Sequence, residues 1–327
     1  MKKYLLSAVC TLLIFCTVLA QPWMQYATPE EAGWSGDLIE EAWEFADEIG
    51  SAAFMLIYDG KVVAQHGDIT RRFMCHSVRK SLLSALYGIY VGNGAINLDR
   101  TLADLGVDDV HQLTEQEKSA TIRDMLKARS GVFHPAAYET EAMKLSRPAR
   151  GSHPPNTFWY YNNWDFNTSC AILMQHTGKD FFKDFKEKIA DPVGMQDFRL
   201  SDTYYHLEAE HSQYPAYPFR MSARDLARIG QLFLQQGEWN GQQLLPADWI
   251  EESTTPYSYN TRREGQGYAY MWWTGLYGNA HALGLQLLIA GERLLSIELF
   301  RQLNIPTPRR CSLCKHSIFP FSYISNR

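Results

Sequence analysis

The chain has 327 residues, 46% of them hydrophobic and 13% aromatic, enough to bury one large core or two packed closely together. Its formal net charge is −5; Lys2 and Lys3 are the only charged residues among the first twenty, so the remainder has 29 basic against 36 acidic side chains, a net charge of −7. No basic stripe with interleaved aromatics occurs, so nucleic acid is not an expected partner.

Residues 1–20 combine two lysines, an apolar run over residues 5–19 and small residues at Val18 and Ala20. This is the pattern of a secretory signal peptide cleaved after Ala20, and the run is short for a spanning helix. The expectation is an exported protein, periplasmic or secreted, with no stable membrane span once the signal is removed. Cys75, Cys170, Cys311 and Cys314 then remain. An oxidising compartment permits disulfides among them, but a domain of this size does not require them. Cys311-Ser312-Leu313-Cys314-Lys315-His316 has no second pair at ligand spacing, so no metal is assigned and no cofactor is expected.

The elements follow in order. Residues 22–50 are acidic and helix-like, with Leu38, Ala42, Phe45 and Ala46 at core spacing, and the apolar runs 52–57 and 61–65 around Tyr58-Asp59-Gly60 predict a β-hairpin. Within residues 73–94, Leu82, Leu83, Leu86, Ile89 and Tyr90 recur three to four apart and Gly92-Asn93-Gly94 follows, which predicts a helix buried along one stripe with a clear stop. Residues 97–105 read as irregular, 115–128 as one helix, and 133–156 as a loop with four prolines, long enough to be functional. An aromatic window at 158–166 opens another helix; residues 179–200 read as an amphipathic helix and turn, 221–236 as a helix capped by Ser222, and 241–253 as helical. Runs 267–274 and 285–300 read as strands returning to the sheet. Strands at both ends with helices between predict a discontinuous α/β domain over residues 21–327: sheet parts at about 50–70 and 267–300, and an all-helical insert at about 95–220.

Ser77 and Lys80 share a face one turn apart at the start of the helix in residues 73–94. Backbone N–H groups at a helix N-terminus can receive developing negative charge, and a lysine three residues on can take the serine's proton. The same spacing recurs at Ser312-Leu313-Cys314-Lys315, but without a helix behind it. Tyr161-Asn162-Asn163 adds a phenol and, two residues on, an amide. A phenol near the lysine's charge would be acidified and could act as base toward Ser77, while the amide could orient the lysine or a substrate carbonyl. Tyr160-Tyr161-Asn162 and Tyr277-Gly278-Asn279 share that pattern, and an aromatic core cluster is the plainer reading of the window.

Met74-Cys75-His76-Ser77-Val78-Arg79-Lys80-Ser81-Leu82-Leu83, Tyr160-Tyr161-Asn162-Asn163-Trp164-Asp165-Phe166-Asn167 and Met221-Ser222-Ala223-Arg224-Asp225-Leu226-Ala227-Arg228-Ile229-Gly230 come in that order. Together they resemble successive blocks of the serine hydrolase family related to class C β-lactamases, penicillin-binding proteins and 6-aminohexanoate-dimer hydrolases, over about residues 28–284. The resemblance implies a β-lactamase/transpeptidase-like α/β fold, an antiparallel sheet flanked by helices. It also implies a nucleophile at Ser77 with Lys80, the motif tyrosine at Tyr161 with Asn163, and an acyl-enzyme resolved by water. Tyr161 is preferred to Tyr160 because that register places Phe166 and Thr177-Gly178 as in the family.

The third family motif corresponds to Ala282-Leu283-Gly284 after His281, with the N–H of Leu285 as second oxyanion donor and no lysine. Beyond about residue 285 the tail is unlike the family, as a frameshift or truncation would make it. The expected substrate is a small ester, amide or lactam. Ester or amide cleavage is favoured over β-lactamase or D-Ala-D-Ala peptidase activity, because such carboxylate substrates call for a cation and the motif offers only His281; Arg79, Arg150 or Arg220 could substitute. The alternative from another class is an inactive member that binds peptides or cell-wall fragments.

Overall fold

The computed structural model describes residues 23–48, 50–259, 267–274, 280–282, 286–290 and 294–300, the last three segments by their backbone alone. Helix α1 (Gly36–Glu48) precedes strands β1 (Ser51–Tyr58) and β2 (Lys61–Gly67). Asp59 and Gly60 take φ of 49° and 73°, the left-handed pair whose twist suits a two-residue hairpin, so the expected hairpin forms. Along β1, Ala53, Met55 and Ile57 enter the main core, while Phe54 and Leu56 join a second cluster with Trp34 and Ile39 beneath α1. The strand's period of two thus divides its residues between two buried faces.

Strand β3 (Phe73–Met74) leads into helix α2 (Val78–Gly92), buried on nearly every side. It ends at Asn93 with Gly94 at φ 76°, the stop the sequence predicted. At Gly88 an added Cβ would lie 2.3 Å from the Trp249 ring, so the close approach of this helix to its neighbour requires glycine.

The single helix expected over 115–128 is instead two, α3 (Glu115–Lys118) and α4 (Ile122–Leu126). Thr114 and Thr121 each accept the backbone N–H three residues on, and Glu117 and Asp124 each accept the N–H of the cap. Two capping boxes in succession start a second helix where the apolar spacing alone would continue the first. The loop 133–156 contains one short helix, α5 (Glu141–Ser146). Next come α6 (Asn163–Thr177), α7 (Phe181–Phe185) running into a π-helical turn, β4 (Arg220–Met221) and α8 (Ala223–Leu234).

A hairpin of β5 (Glu238–Trp239) and β6 (Gln242–Gln243) stands where the sequence reading began a helix at Gly241, and α9 covers only Ala247–Thr254. Asn240 and Gly241 take φ of 51° and 79°, so this Asn-Gly pair makes a hairpin turn. Strands β7 (Ser258–Tyr259), β8 (Gly267–Tyr268), β9 (Trp273–Thr274), β10 (Ala280–Ala282), β11 (Gln286–Ala290) and β12 (Leu294–Phe300) follow.

One eight-stranded sheet runs β2-β1-β12-β11-β10-β9-β8-β7, antiparallel at each pairing. The pairing of β1 with β12 joins the two ends of the described chain and leaves α2 to α9 as the excursion between them. This is the α/β class expected, with α8 packed on β1, β11 and β12 and α1 on β1. Among the described residues no helix is long and apolar enough to cross a membrane. Cys75 and Cys170 are buried and free; Cys311, Cys314 and the residues expected to form a signal peptide lie outside the described residues.

Candidate active site

The approach to Ser77 is held by the third sequence block. Phe73 and Met74 on β3 pair with Met221 and Arg220 on β4, and the Cys75 N–H donates to the Phe219 carbonyl at 2.9 Å. Beyond β4, Ser222 Oγ donates to Asp197 at 2.7 Å, the Arg224 guanidinium forks onto the same carboxylate through two 2.6 Å bonds, and Asp225 accepts the N–H groups of Gln196 and Asp197. Residues 221–230 therefore brace the strand that delivers the serine. His76 adopts a left-handed φ of 44°, a sharp turn disfavoured for a residue with a Cβ. The next residue, Ser77, opens α2 with its side chain making no capping bond.

Lys80 is only 2% exposed. Its Nζ donates to Ser77 Oγ at 3.2 Å and lies 4.7 Å and 4.9 Å from the ring centres of Tyr161 and Phe166. The plainer alternative, a capping serine with a solvated lysine, does not describe this geometry. Burial, reinforced by the adjacent Arg79 charge, pushes the Lys80 amine well below its ordinary range, and no acid is among the groups acting on it. An amine accepts a proton only above its pKa, so this depression extends its useful range downward in pH.

Tyr161 meets the same pair from the start of α6. The Ser77 hydroxyl hydrogen-bonds it, and its ring stacks on Trp273 at 5.6 Å and lies 5.0 Å from Phe166. The sequence reading expected Lys80 to acidify this phenol. Instead burial dominates and raises it, with Ser77 and Arg79 pulling partly back. The lysine is depressed and the phenol raised, so both shifts act toward a free amine beside a protonated tyrosine.

Tyr160 points elsewhere, its hydroxyl donating to the Met143 carbonyl at 2.7 Å. Asn163 is buried: its Nδ2 donates to the Tyr138 carbonyl at 2.7 Å, and its Oδ1 has no hydrogen-bond partner among the described residues. Ala282 lies on β10, which pairs with β9, the strand of Trp273. Gly284, Leu285, Tyr277 and Ser312 lie outside the described residues.

A buried acid fixes the turn that carries Tyr161. Asp165, at 0% exposure, accepts from Ser130 Oγ at 2.6 Å and Asn162 Nδ2 at 2.8 Å, both on Oδ1. Asn162 also caps α6 and donates to the Val132 carbonyl at 2.7 Å. Burial pushes the Asp165 carboxyl well above its ordinary range, so the folded chain keeps a proton that the unfolded chain releases above about pH 4. Stability from this group is therefore present below the unfolded pKa and is lost as pH rises toward the folded one. Asp165→Asn keeps the acceptor oxygen and removes the ionisation. Urea denaturation at a series of pH values is expected to give a flatter decline of stability between about pH 4 and 8 than in the wild type; an unchanged slope would reject the assignment.

The sequence reading missed Tyr138 and undervalued Arg79. Tyr138, at φ 69°, donates its N–H to Glu208 at 2.9 Å, and its hydroxyl lies 3.4 Å from His76 Nδ1. The prolines of its loop marked only a region. Arg150, considered above as a substrate cation, is engaged by Glu117 and by the carbonyls of His111 and Gln112. Glu208, Glu210 and His211 bring possible ligand atoms within 4.8 Å of one another. Both Glu208 oxygens already hold protein donors, Tyr138 N–H on one and the histidines His206 and His211 on either side.

A helix-rich excursion from an antiparallel sheet, with a serine and a buried lysine at the head of its central helix, is the architecture of the β-lactamase and transpeptidase class. The chain belongs to the Beta-lactamase family, whose sequence model matches residues 37–291. Among solved structures it is similar to a Bacillus anthracis protein assigned as a 6-aminohexanoate-dimer hydrolase (TM-score 0.63, 22% identity, 79% of this chain and 75% of that one). It is also similar to the octameric penicillin-binding protein homologue of Pyrococcus abyssi (0.61, 17%, 83% and 74%) and to a D-stereospecific amidohydrolase of Streptomyces (0.55, 16%, 81% and 94%). At these identities the likeness is one of fold. No curated protein matches the chain in sequence.

Proposed function

We propose that this chain is an exported serine hydrolase that cleaves an ester or amide through an acyl-enzyme on Ser77. The observation that carries the reading is the buried Lys80 amine directed at the Ser77 hydroxyl at 3.2 Å, with no acid holding its charge. As Ser77 Oγ bonds to the substrate carbonyl carbon, Lys80 takes the hydroxyl proton. The oxyanion is received by the N–H of Ser77 and, as the family resemblance implies, that of Leu285. Collapse breaks the bond to the leaving oxygen or nitrogen, which takes the Tyr161 phenol proton; the Lys80 ammonium then reprotonates the phenol. Water enters and the same transfers, reversed, release the acid.

Esters and simple amides fit better than carboxylate-bearing lactams. Residues 275–290 contain no lysine or arginine, and Arg150 is committed to Glu117. The test uses one preparation of mature protein with p-nitrophenyl acetate, nitrocefin and a fluorophosphonate. One phosphonyl adduct per chain on Ser77 by intact mass, with ester kcat/KM exceeding that for nitrocefin, is the expected result. Nitrocefin outrunning the ester reverses the substrate ranking, and absence of any adduct makes the chain a binding member of the family.

A further inference from the structure

Arg79 stands between the nucleophile and the lysine in sequence and is only 1% exposed. Its Nη1 donates to the His76 carbonyl at 2.7 Å, and the guanidinium lies 5.1 Å and 5.2 Å from the ring centres of Tyr138 and Tyr217. Its Nε and Nη2 are buried with no hydrogen-bond partner among the described residues. A guanidinium keeps its proton over the whole range in which proteins fold, and burying one without an acid is unfavourable enough to need a reason. The two tyrosine faces supply part of the stabilisation.

Among the described residues the groups around this charge come from four places: Cys75, His76 and Lys80 along the turn and α2, Tyr138 from the loop, Tyr161 just before α6 with Cys170 on it, and Tyr217 and Arg220 before and on β4. None is a carboxylic acid. Burial raises both thiols and the three phenols and lowers His76, so all of these are neutral at neutral pH. Arg220 is exposed. Among the described residues Arg79 is thus the fixed charge inside the shell.

Resting on the Ser77–Lys80 reading above, we propose that Arg79 is a positioning residue of the hydrolase site: a buried, permanent cation that drives the proton off the Lys80–Tyr161 pair, leaving the amine ready for the Ser77 proton. Its Coulomb effect acts in that direction on both partners, disfavouring the ammonium of Lys80 and favouring the phenolate of Tyr161. Through the His76 carbonyl it also holds the turn that aims Ser77, a purely mechanical role that Arg79→Gln can preserve while removing the charge.

The test follows the rate of fluorophosphonate labelling of Ser77 against pH from 5 to 10, by intact mass, in the full mature chain. In Arg79→Gln the acid limb is expected to move up by one pH unit or more, a tenfold or greater loss on the limb, with the alkaline plateau largely retained. A lowered plateau with an unmoved limb overturns the proposal and leaves Arg79 a structural brace. If that variant fails to fold by circular dichroism, Arg79→Met decides: it fills the space without a charge, so a limb moved upward supports the proposal and an unmoved limb overturns it. Failure of the underlying reading is distinct, because Ser77→Ala would then label as fast as wild type.

Discussion

Ser77→Ala is expected to lower kcat/KM for p-nitrophenyl acetate by on the order of 10³-fold or more, while the melting temperature changes little. The two halves rest on one geometric fact. The Ser77 side chain makes no capping bond to α2, so removing its hydroxyl leaves the helix start as it was. What it loses is the contact with Lys80 Nζ at 3.2 Å and the hydrogen bond with Tyr161, and those contacts concern proton transfer. A structural serine would show the reverse, a destabilised fold with activity reduced only in proportion to the folded fraction. Steady-state kinetics and a thermal melt on the same preparations separate the cases. Equal turnover by variant and wild type would place the nucleophile elsewhere.

Local signals in the sequence were read correctly where one residue type has a single physical use. Tyr58-Asp59-Gly60 made its hairpin, Gly92-Asn93-Gly94 its stop, and Ser77 and Lys80 meet as their spacing implied. Signals failed where two local rules competed. Apolar spacing favoured one helix over 115–128, but Thr121 with Asp124 started a new one; Asn240-Gly241 turned the chain where a helix had been expected.

What remained hidden was long-range. Nothing near Arg79 in sequence says that Tyr138 and Tyr217 will enclose it, and nothing near Asp165 names Ser130 as its donor. The phenol's direction failed for the same reason: its proximity to Lys80 was foreseen, but the extent of its burial depends on Trp273, Tyr268 and Phe166, brought in from other elements and from the following turn of α6. The block at 221–230 was legible as a family signature, yet its bracing of β3 through Asp197 appears only in three dimensions.

Lys80→Arg is expected to be nearly inactive, with kcat/KM down by about 10³-fold or more, comparable to loss of the nucleophile because the pair acts as a unit. The substitution keeps a positive charge and removes a usable proton acceptor, since a guanidinium titrates above about 12. In the wild type the active form carries Lys80 as free amine, so the rate must rise with pH through the amine's ionisation. Burial and Arg79 both lower that ionisation, which places the rising limb of kcat/KM well below the ordinary lysine value of about 10.4. Because Lys80 and Tyr161 exchange the same proton, the limb belongs to the pair. Tyr161→Phe should retain substrate binding and slow acylation, as it removes the proton relay but keeps the ring beneath the amine. Lys80→Met controls for packing: it fills the space between the Tyr161 and Phe166 rings without a charge, and its melting temperature should equal or exceed that of the wild type, since a buried amine is replaced by an apolar chain. The discriminating result is the pH profile of Lys80→Arg. Should that variant keep most of its activity with an unshifted limb, Lys80 would be an electrostatic support and the base would lie with a neighbour. His76 would then be first in line, a ring that burial and the charges of Arg79, Lys80 and Arg220 hold below its ordinary range, and His76→Gln would abolish the limb.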